Sequence, residues 1–243
     1  MYYLIIFLFC ILGYLFGSVL FAEIIGRLNH NNIRASGSGN PGATNLMRIS
    51  KNKFIAFLAA ILDGAKAYLV VVVCSFVVNL WYQHPNKTID PALFSMIFIS
   101  GIFCVIGHCF PIIFLIKLIQ NKFDYKTLKP YIGGKGVMTF AGIIFALSPW
   151  IGLIAFGIWA ILISITRYVS LASMCAILIA TCLIWIKQLD LIYLKPMTLG
   201  DDYSFIGMSF IWLMLGCLLI ILRHKSNIVR MFKHTESKAF SKK

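Results

Sequence analysis

Acidic residues are scarce. The chain has 243 residues, of which 8 are Asp or Glu and 22 are Lys or Arg, for a formal net charge of +14. All four charged types together make 12%, about half the quarter found in soluble domains. That excludes a water-soluble enzyme. With 60% hydrophobic residues and a mean hydropathy of +0.88, a disordered chain is excluded too. Zinc spacing and CxxC pairs are missing: Cys10, Cys74, Cys104, Cys109, Cys175, Cys182 and Cys217 all lie in apolar stretches. They read as buried free thiols, and neither a metal nor a cofactor is expected. There is no G-x-S-x-G elbow of a serine hydrolase, no carboxylate pair suited to two metals, and no inverted repeat of the transporter kind. A basic soluble chain would suggest nucleic acid. Here the basic residues lie between apolar segments, so topology and anionic lipid explain them and no nucleic acid is expected. The first twenty residues lack a basic start and run straight into more apolar chain, so they read as a membrane anchor.

What is present is a set of apolar runs, each about the 20 residues needed to cross a bilayer. Five are clear: 2–26, 54–81, 92–116, 168–187 and 204–222. A sixth, 137–165, is long and is broken by Ser148-Pro149, where the proline removes a backbone donor. Charge decides how to count it. Segments 27–53, 117–136 and 223–243, with Arg167, hold 18 of the 22 basic residues. The segments 82–91 and 188–203 are near neutral or acidic. Basic loops stay in the cytoplasm, so Lys135 and Arg167 are both inside and the chain between them forms a hairpin. The expected fold is therefore one all-α membrane domain over 1–243. It has seven transmembrane helices, the amino terminus outside and the carboxyl terminus cytoplasmic. Glycine-rich cytoplasmic loops form its active site. A cytoplasmic insertion at 117–132 and a basic tail at 223–243 complete it.

Four cytoplasmic segments carry chemistry. In the first, Gly37, Ser38, Gly39, Asn40, Gly42, Thr44 and Asn45 precede Arg48. Glycines let backbone N–H groups converge on an anion, and a guanidinium forks onto phosphate. The second, Gly133-Gly134-Lys135-Gly136, opens the run containing Thr139. Free N–H groups, a helix dipole and an ammonium suit an anion there, although a lysine at a membrane edge is also a plain topology signal. The third joins Arg167 to Ser170 and Ser173, three apart on one helix face; such serines equally suit close helix packing. The fourth places His224 and Asn227 three apart among basic residues. His224 suits either a general base or a phosphate donor. Asp63 and Lys66, inside the second run, are functional candidates because ionisable residues there are costly; the favoured reading is an internal ion pair or a pairing with Glu23. His108 reads as a packing residue. The recurring chemistry is a phosphate grip at the membrane edge, which a permease for a phosphorylated metabolite would also need.

In this order, the segments resemble the bacterial acyl-phosphate:glycerol-3-phosphate acyltransferase family. Residues 37–45 with Arg48 carry most of the likeness. Gly107-His108 with Phe110-Pro111, Gly133 to Val137 with Thr139, Arg167 with Ser170 and Ser173, and His224, Asn227, Ile228, Arg230, Thr235 and Glu236 follow. The resemblance implies an inner-membrane enzyme that moves a fatty acyl group from acyl phosphate to the 1-hydroxyl of glycerol 3-phosphate. Lysophosphatidic acid and phosphate would be the products. It implies that Ser38, Arg48, Lys135, His224 and Asn227 hold glycerol 3-phosphate, and that the first loop, with Thr44 and Asn45, receives the acyl-phosphate head. Ser170 matches a further site serine. The acyl phosphate's own phosphate would accept the hydroxyl proton, and functional coupling to an acyl-phosphate-forming enzyme is expected. Two features depart from the family: residues 112–132 separate Phe-Pro from GGKG, and His234 replaces a glycine.

Overall fold

The structure, a computed structural model, describes residues 2–82, 91–124, 127–186 and 204–239. Their regular structure is entirely helical. The order is α1 (Tyr2–Gly17), α2 (Phe21–Leu28), α3 (Ala43–Ile49), α4 (Lys53–Tyr82), α5 (Pro91–Cys109), α6 (Ile112–Gln120), a 3-10 turn (Lys129–Tyr131), α7 (Val137–Leu147), α8 (Pro149–Thr166), α9 (Val169–Trp185), α10 (Ser204–Arg223) and α11 (Lys225–Phe232). The apolar helices α1, α4, α5 and α7 to α10 occupy the six apolar runs of the sequence, with α7 and α8 sharing the run broken at Ser148-Pro149. Among the described residues, three stretches are long and apolar enough to cross a membrane, namely Leu4–Leu28, Lys53–Val78 and Pro149–Thr166, or up to five if each of two bent pairs is one span. The connections expected at 82–91 and 188–203 lie, apart from their ends, outside the described residues.

Two boundaries differ from the sequence reading. The first run breaks at residues 18–20 into α1 and the amphipathic α2. The third run ends at Cys109, because Pro111 cannot continue a helix; α6 then leaves at 60° to α5. The piece after Phe-Pro is thus partly helical and apolar rather than a purely basic excursion. The break at Ser148-Pro149 is where the sequence places it. Ser148 accepts from the Ile151 N–H as the cap of α8. Gly152 faces the Phe145 ring seven residues back, whereas a continuous helix would hold those positions about 10 Å apart along its axis. The chain turns back sharply there.

The helices approach closely through small residues. Gly13 and Gly17 of α1 face Ser100 and Cys104 of α5, and Gly107 faces Tyr14. A Cβ at any of the three would overlap a backbone oxygen of the partner helix. Small residues four apart permit this approach without water to drive it. The core lies among α4, α5, α7, α9 and α10, with Val71, Ile102, Val105, Phe140, Ile143 and Leu213 buried. A smaller cluster under α2 and α3 contains Ala22, Ile33, Leu46 and Ala56. Trp150, Leu153, Phe156, Ile161 and Ile165 of α8 are exposed apolar residues, as a lipid-facing helix requires.

Candidate active site

The first loop is folded around one buried amide. Asn45 Nδ2 donates to the Ile33 and Ser36 carbonyls, and its Oδ1 accepts from the Ser38 N–H at 2.8 Å. Gly37 and Gly39 take positive φ values of 63° and 70°, which glycine allows without strain. They shape the turn; Ser38, Asn40, Gly42, Thr44, Asn45 and Arg48 form the cavity wall.

The second loop is pinned from both sides. The Gly133 and Gly134 N–H groups donate to the Cys109 and His108 carbonyls at 2.9 and 3.0 Å. Arg223 donates to the Gly133 and Gly134 carbonyls, and Arg34 donates to Ile132. A Cβ at Gly133 would overlap the His108 carbonyl, and one at Gly134 the imidazole of His108. These two glycines therefore permit close approach, and only Lys135 and Gly136 reach the cavity. Gly136, at φ 84°, then starts α7. Thr139 is fully buried away from the cavity, with an unpartnered hydroxyl. Arg167 also lies off the cavity: it ends α8 in a left-handed conformation, and its carbonyl accepts from the Ala239 N–H.

One chain of hydrogen bonds joins the remaining segments. Lys135 Nζ donates to Asn227 Oδ1. Asn227 Nδ2 donates to Glu236 at 2.7 Å. Ser170 Oγ and Arg230 Nε donate to the same carboxylate at 3.2 and 2.7 Å. The tail therefore folds back onto the start of α9 as far as Ala239. Glu236, the only acid after residue 203, lines the cavity, as do Asp63 and His108; the sequence reading named Glu236 in the family pattern but left all three out of the site. For Glu236, its isolation among basic residues was the available signal. Ser173 accepts from the Trp159 indole N–H, so it is tied to packing as well as to the cavity wall.

Burial pushes the Lys135 ammonium down to about 8, with the charges of Arg230, Arg48 and Arg223 adding to the effect and Glu236 opposing it. His224 is brought down to about 4, chiefly by burial and then by Lys135. Its Nδ1 lies 2.8 Å from the Ile220 carbonyl. A carbonyl only accepts, so Nδ1 carries the proton and Nε2 of the neutral ring keeps a lone pair. For Glu236, burial works upward, but hydrogen bonds from Asn227, Arg230 and Ser170 outweigh it and hold the carboxyl below its usual value.

The cavity encloses about 1350 Å³, its open mouth included. Its polar end carries Ser38, Arg48, Lys135, His224 and Asn227. Its other arm is apolar and lined by small or aromatic residues of α7, α8 and α9, including Ala141, Phe145, Gly152, Trp159, Ala176 and Ala180. Met138 and Phe156 line the cavity while being 40% and 61% exposed, so the arm opens sideways between α7 and α8. Among the described residues no group of three His, Cys, Asp or Glu is placed to hold a metal ion. Asp63 and Lys66 do form an internal ion pair, at 3.0 Å. Glu23 pairs with Arg27 and Arg34 instead.

A family described as glycerol-3-phosphate acyltransferase matches residues 7–234. The glycerol-3-phosphate acyltransferase of Malacoplasma penetrans is 32% identical over 98% of this chain and 96% of its own length. That of Mycoplasma pneumoniae is 31% identical over 94% of this chain and 92% of its own. Crystal structures of PlsY, an integral membrane glycerol 3-phosphate acyltransferase, superpose on 96% of this chain and 94% of theirs. The glycerol 3-phosphate form has a TM-score of 0.69 at 27% identity, and the lysophosphatidic acid form 0.70 at 26%. With its apolar helices around a cavity that is polar at one end and greasy at the other, this chain belongs to the glycerol-3-phosphate acyltransferase family of membrane enzymes.

Proposed function

We propose that the chain transfers a fatty acyl group from acyl phosphate to the 1-hydroxyl of glycerol 3-phosphate, giving lysophosphatidic acid and inorganic phosphate. The observation that carries the reading is the two-part cavity: cations and hydroxyls at one end, an apolar arm lined by α7, α8 and α9 at the other. In this reading Ser38, Arg48, Lys135 and Asn227 hold glycerol 3-phosphate. The loop with Thr44 and Asn45, and Ser170 beside it, face the acyl-phosphate head. The seven apolar helices cross the inner membrane, amino terminus outside, with the cavity's polar end toward the cytoplasm. The tail from Arg223 lies on that side. An enzyme that forms acyl phosphate would supply the donor.

Acyl phosphate is a mixed anhydride, so its carbonyl is already activated. The main task is to hold two phosphates together against repulsion, and positioning is worth roughly 7–11 kcal/mol. Arg48 and Lys135 offset charge. The glycerol oxygen attacks the carbonyl carbon, the bond from that carbon to the bridging phosphate oxygen breaks, and the hydroxyl proton passes to the departing phosphate. His224 Nε2, with its lone pair, accepts a hydrogen bond from the neighbouring 2-hydroxyl and so aims the glycerol, leaving the proton of the attacking 1-hydroxyl to the phosphate. No protein nucleophile is needed.

The test is the purified protein in detergent with palmitoyl phosphate or palmitoyl-CoA, glycerol 3-phosphate, and Lys135→Ala as control. Phosphate and lysophosphatidic acid from the acyl phosphate alone, lost in the variant, is the expected result. No product from either donor, with the protein folded, overturns the reading. His224→Gln should keep activity within about tenfold, whereas a loss of about ten-thousandfold would make His224 a general base.

A further inference from the structure

Below the cavity's polar end lies a buried cluster that the reaction as described does not use. Asp63, Lys66 and His108 are 2%, 1% and 4% exposed. Lys66 Nζ reaches four acceptors: the Gly17 and Val19 carbonyls at 3.0 and 2.7 Å, Asp63 Oδ1 at 3.0 Å and His108 Nδ1 at 2.9 Å. An ammonium has three N–H donors and no lone pair, so one of them is shared between two of the four. A protonated Nδ1 at 2.9 Å would set two donors against each other, so Nδ1 is the bare nitrogen and the ring proton sits on Nε2. Asp63 Oδ1 stands 3.5 Å from Nδ1, too far to compete with the ammonium for that nitrogen. Asp63 balances the Lys66 charge instead.

Nε2 has no partner among the described residues. The only fully enclosed side-chain nitrogen or oxygen lacking one is the Thr139 hydroxyl, so Nε2 is open to space. That space is the cavity, which His108 and Asp63 line together with Lys135 and Gly136. The imidazole edge lies against Gly134, immediately before Lys135. A neutral N–H donor thus stands beside an ammonium at the start of α7, where Gly136 caps the helix without any side-chain bond.

We propose that His108 is a neutral hydrogen-bond donor to a substrate phosphate, with its proton fixed on Nε2 by the Lys66 ammonium. Asp63 and Lys66 are then positioning residues that act through His108. The proposal rests on the acyl-transfer reading for the identity of the phosphate, which belongs either to acyl phosphate or to glycerol 3-phosphate. A neutral donor suits this place because Lys135 and Arg48 already supply positive charge. It adds direction without a further cation beside them.

The experiment compares wild type, His108→Ala and His108→Gln in detergent, varying each substrate in turn. Gln returns an N–H close to the Nε2 position. His108→Ala should lose about a hundredfold in kcat/KM, and His108→Gln should recover to within about tenfold of wild type. A raised KM for acyl phosphate assigns the contact to the donor, and a raised KM for glycerol 3-phosphate assigns it to the acceptor. Asp63→Asn with Lys66→Met, a charge-balanced pair, should lower activity when residue 108 is His and add nothing when it is Gln, since Gln has no tautomer to set. Should that pair fail to fold, the two His108 variants decide alone. His108→Ala within threefold of wild type, or His108→Gln no better than Ala, overturns the proposal. Binding of inorganic phosphate by calorimetry, expected to be at least tenfold weaker in His108→Ala, tests the site even if the wild type proves inactive with acyl phosphate. Equal binding overturns it.

Discussion

Lys135 shows how much one side chain's surroundings determine its use. With its ammonium pushed down to about 8, the cation is present at neutral pH and lost as pH rises through that value. In the free enzyme, kcat/KM for glycerol 3-phosphate should therefore fall above about pH 8, up to tenfold per pH unit. Lys135→Arg keeps the charge at all these values, and its profile should lack that fall; an unchanged profile would remove Lys135 from phosphate binding. Glu236 yields a second expectation. It orients Asn227, whose oxygen receives Lys135. Glu236→Ala leaves the amide free and Arg230 unpaired, so a loss of about ten- to a hundredfold in kcat/KM follows, as for a buried bond to a charged group. A steady-state assay on folded variant decides it. At this scale the sequence was informative about residue type and poor about direction. Lys135, His224 and Asn227 stand in recognisable patterns. Thr139 stands in the first turn of α7 and points into the protein, whereas Lys135 precedes the helix, beyond the left-handed Gly136, so helical spacing does not relate their directions. His108 and Glu236 stand in local patterns of the family resemblance, but their roles come from contacts 42 and 66 residues away in sequence, which those patterns do not record.

Among the helices, contact distance governs. Gly142 of α7 lies against α4, and a Cβ there would overlap the Gly64 carbonyl. Gly142→Ala should cost about 1–3 kcal/mol by overpacking, a fall of about 2–10 °C in Tm for a chain of this size. Because α7 begins two residues after Lys135, activity should drop with it. Gly157 of α8 has nothing within 4 Å of the equivalent position, so Gly157→Ala should leave Tm unchanged or higher. Parallel thermal melts in detergent separate the two; equal effects would contradict this packing. Hydropathy located all seven apolar helices because each run is long relative to a turn of helix. The Ser148-Pro149 corner was readable because proline's missing donor is a local fact. The short helices α3 and α11 were not, since seven or eight residues of mixed polarity look like a loop until a neighbour covers one face, and α2 was merged with α1 into one apolar run. The helix α6 was hidden differently: its apolar residues continued the preceding run, and only Pro111 marked the turn.

Across the whole molecule, charge should set direction. With the basic segments held in the cytoplasm, a cysteine placed at exposed Lys122 should react with an impermeant maleimide from the cytoplasmic side of sealed vesicles only. Reaction from the outside would invert the fold. The sideways opening of the cavity, at exposed Met138 and Phe156, carries a consequence of another kind. A substrate entering there comes from the plane of a two-dimensional fluid, and a lipid product leaves into that same plane. The relevant concentration is then surface density rather than moles per litre. Adding inert detergent at fixed bulk acyl phosphate should slow the reaction in proportion to the dilution of the film, although nothing has been removed from the tube.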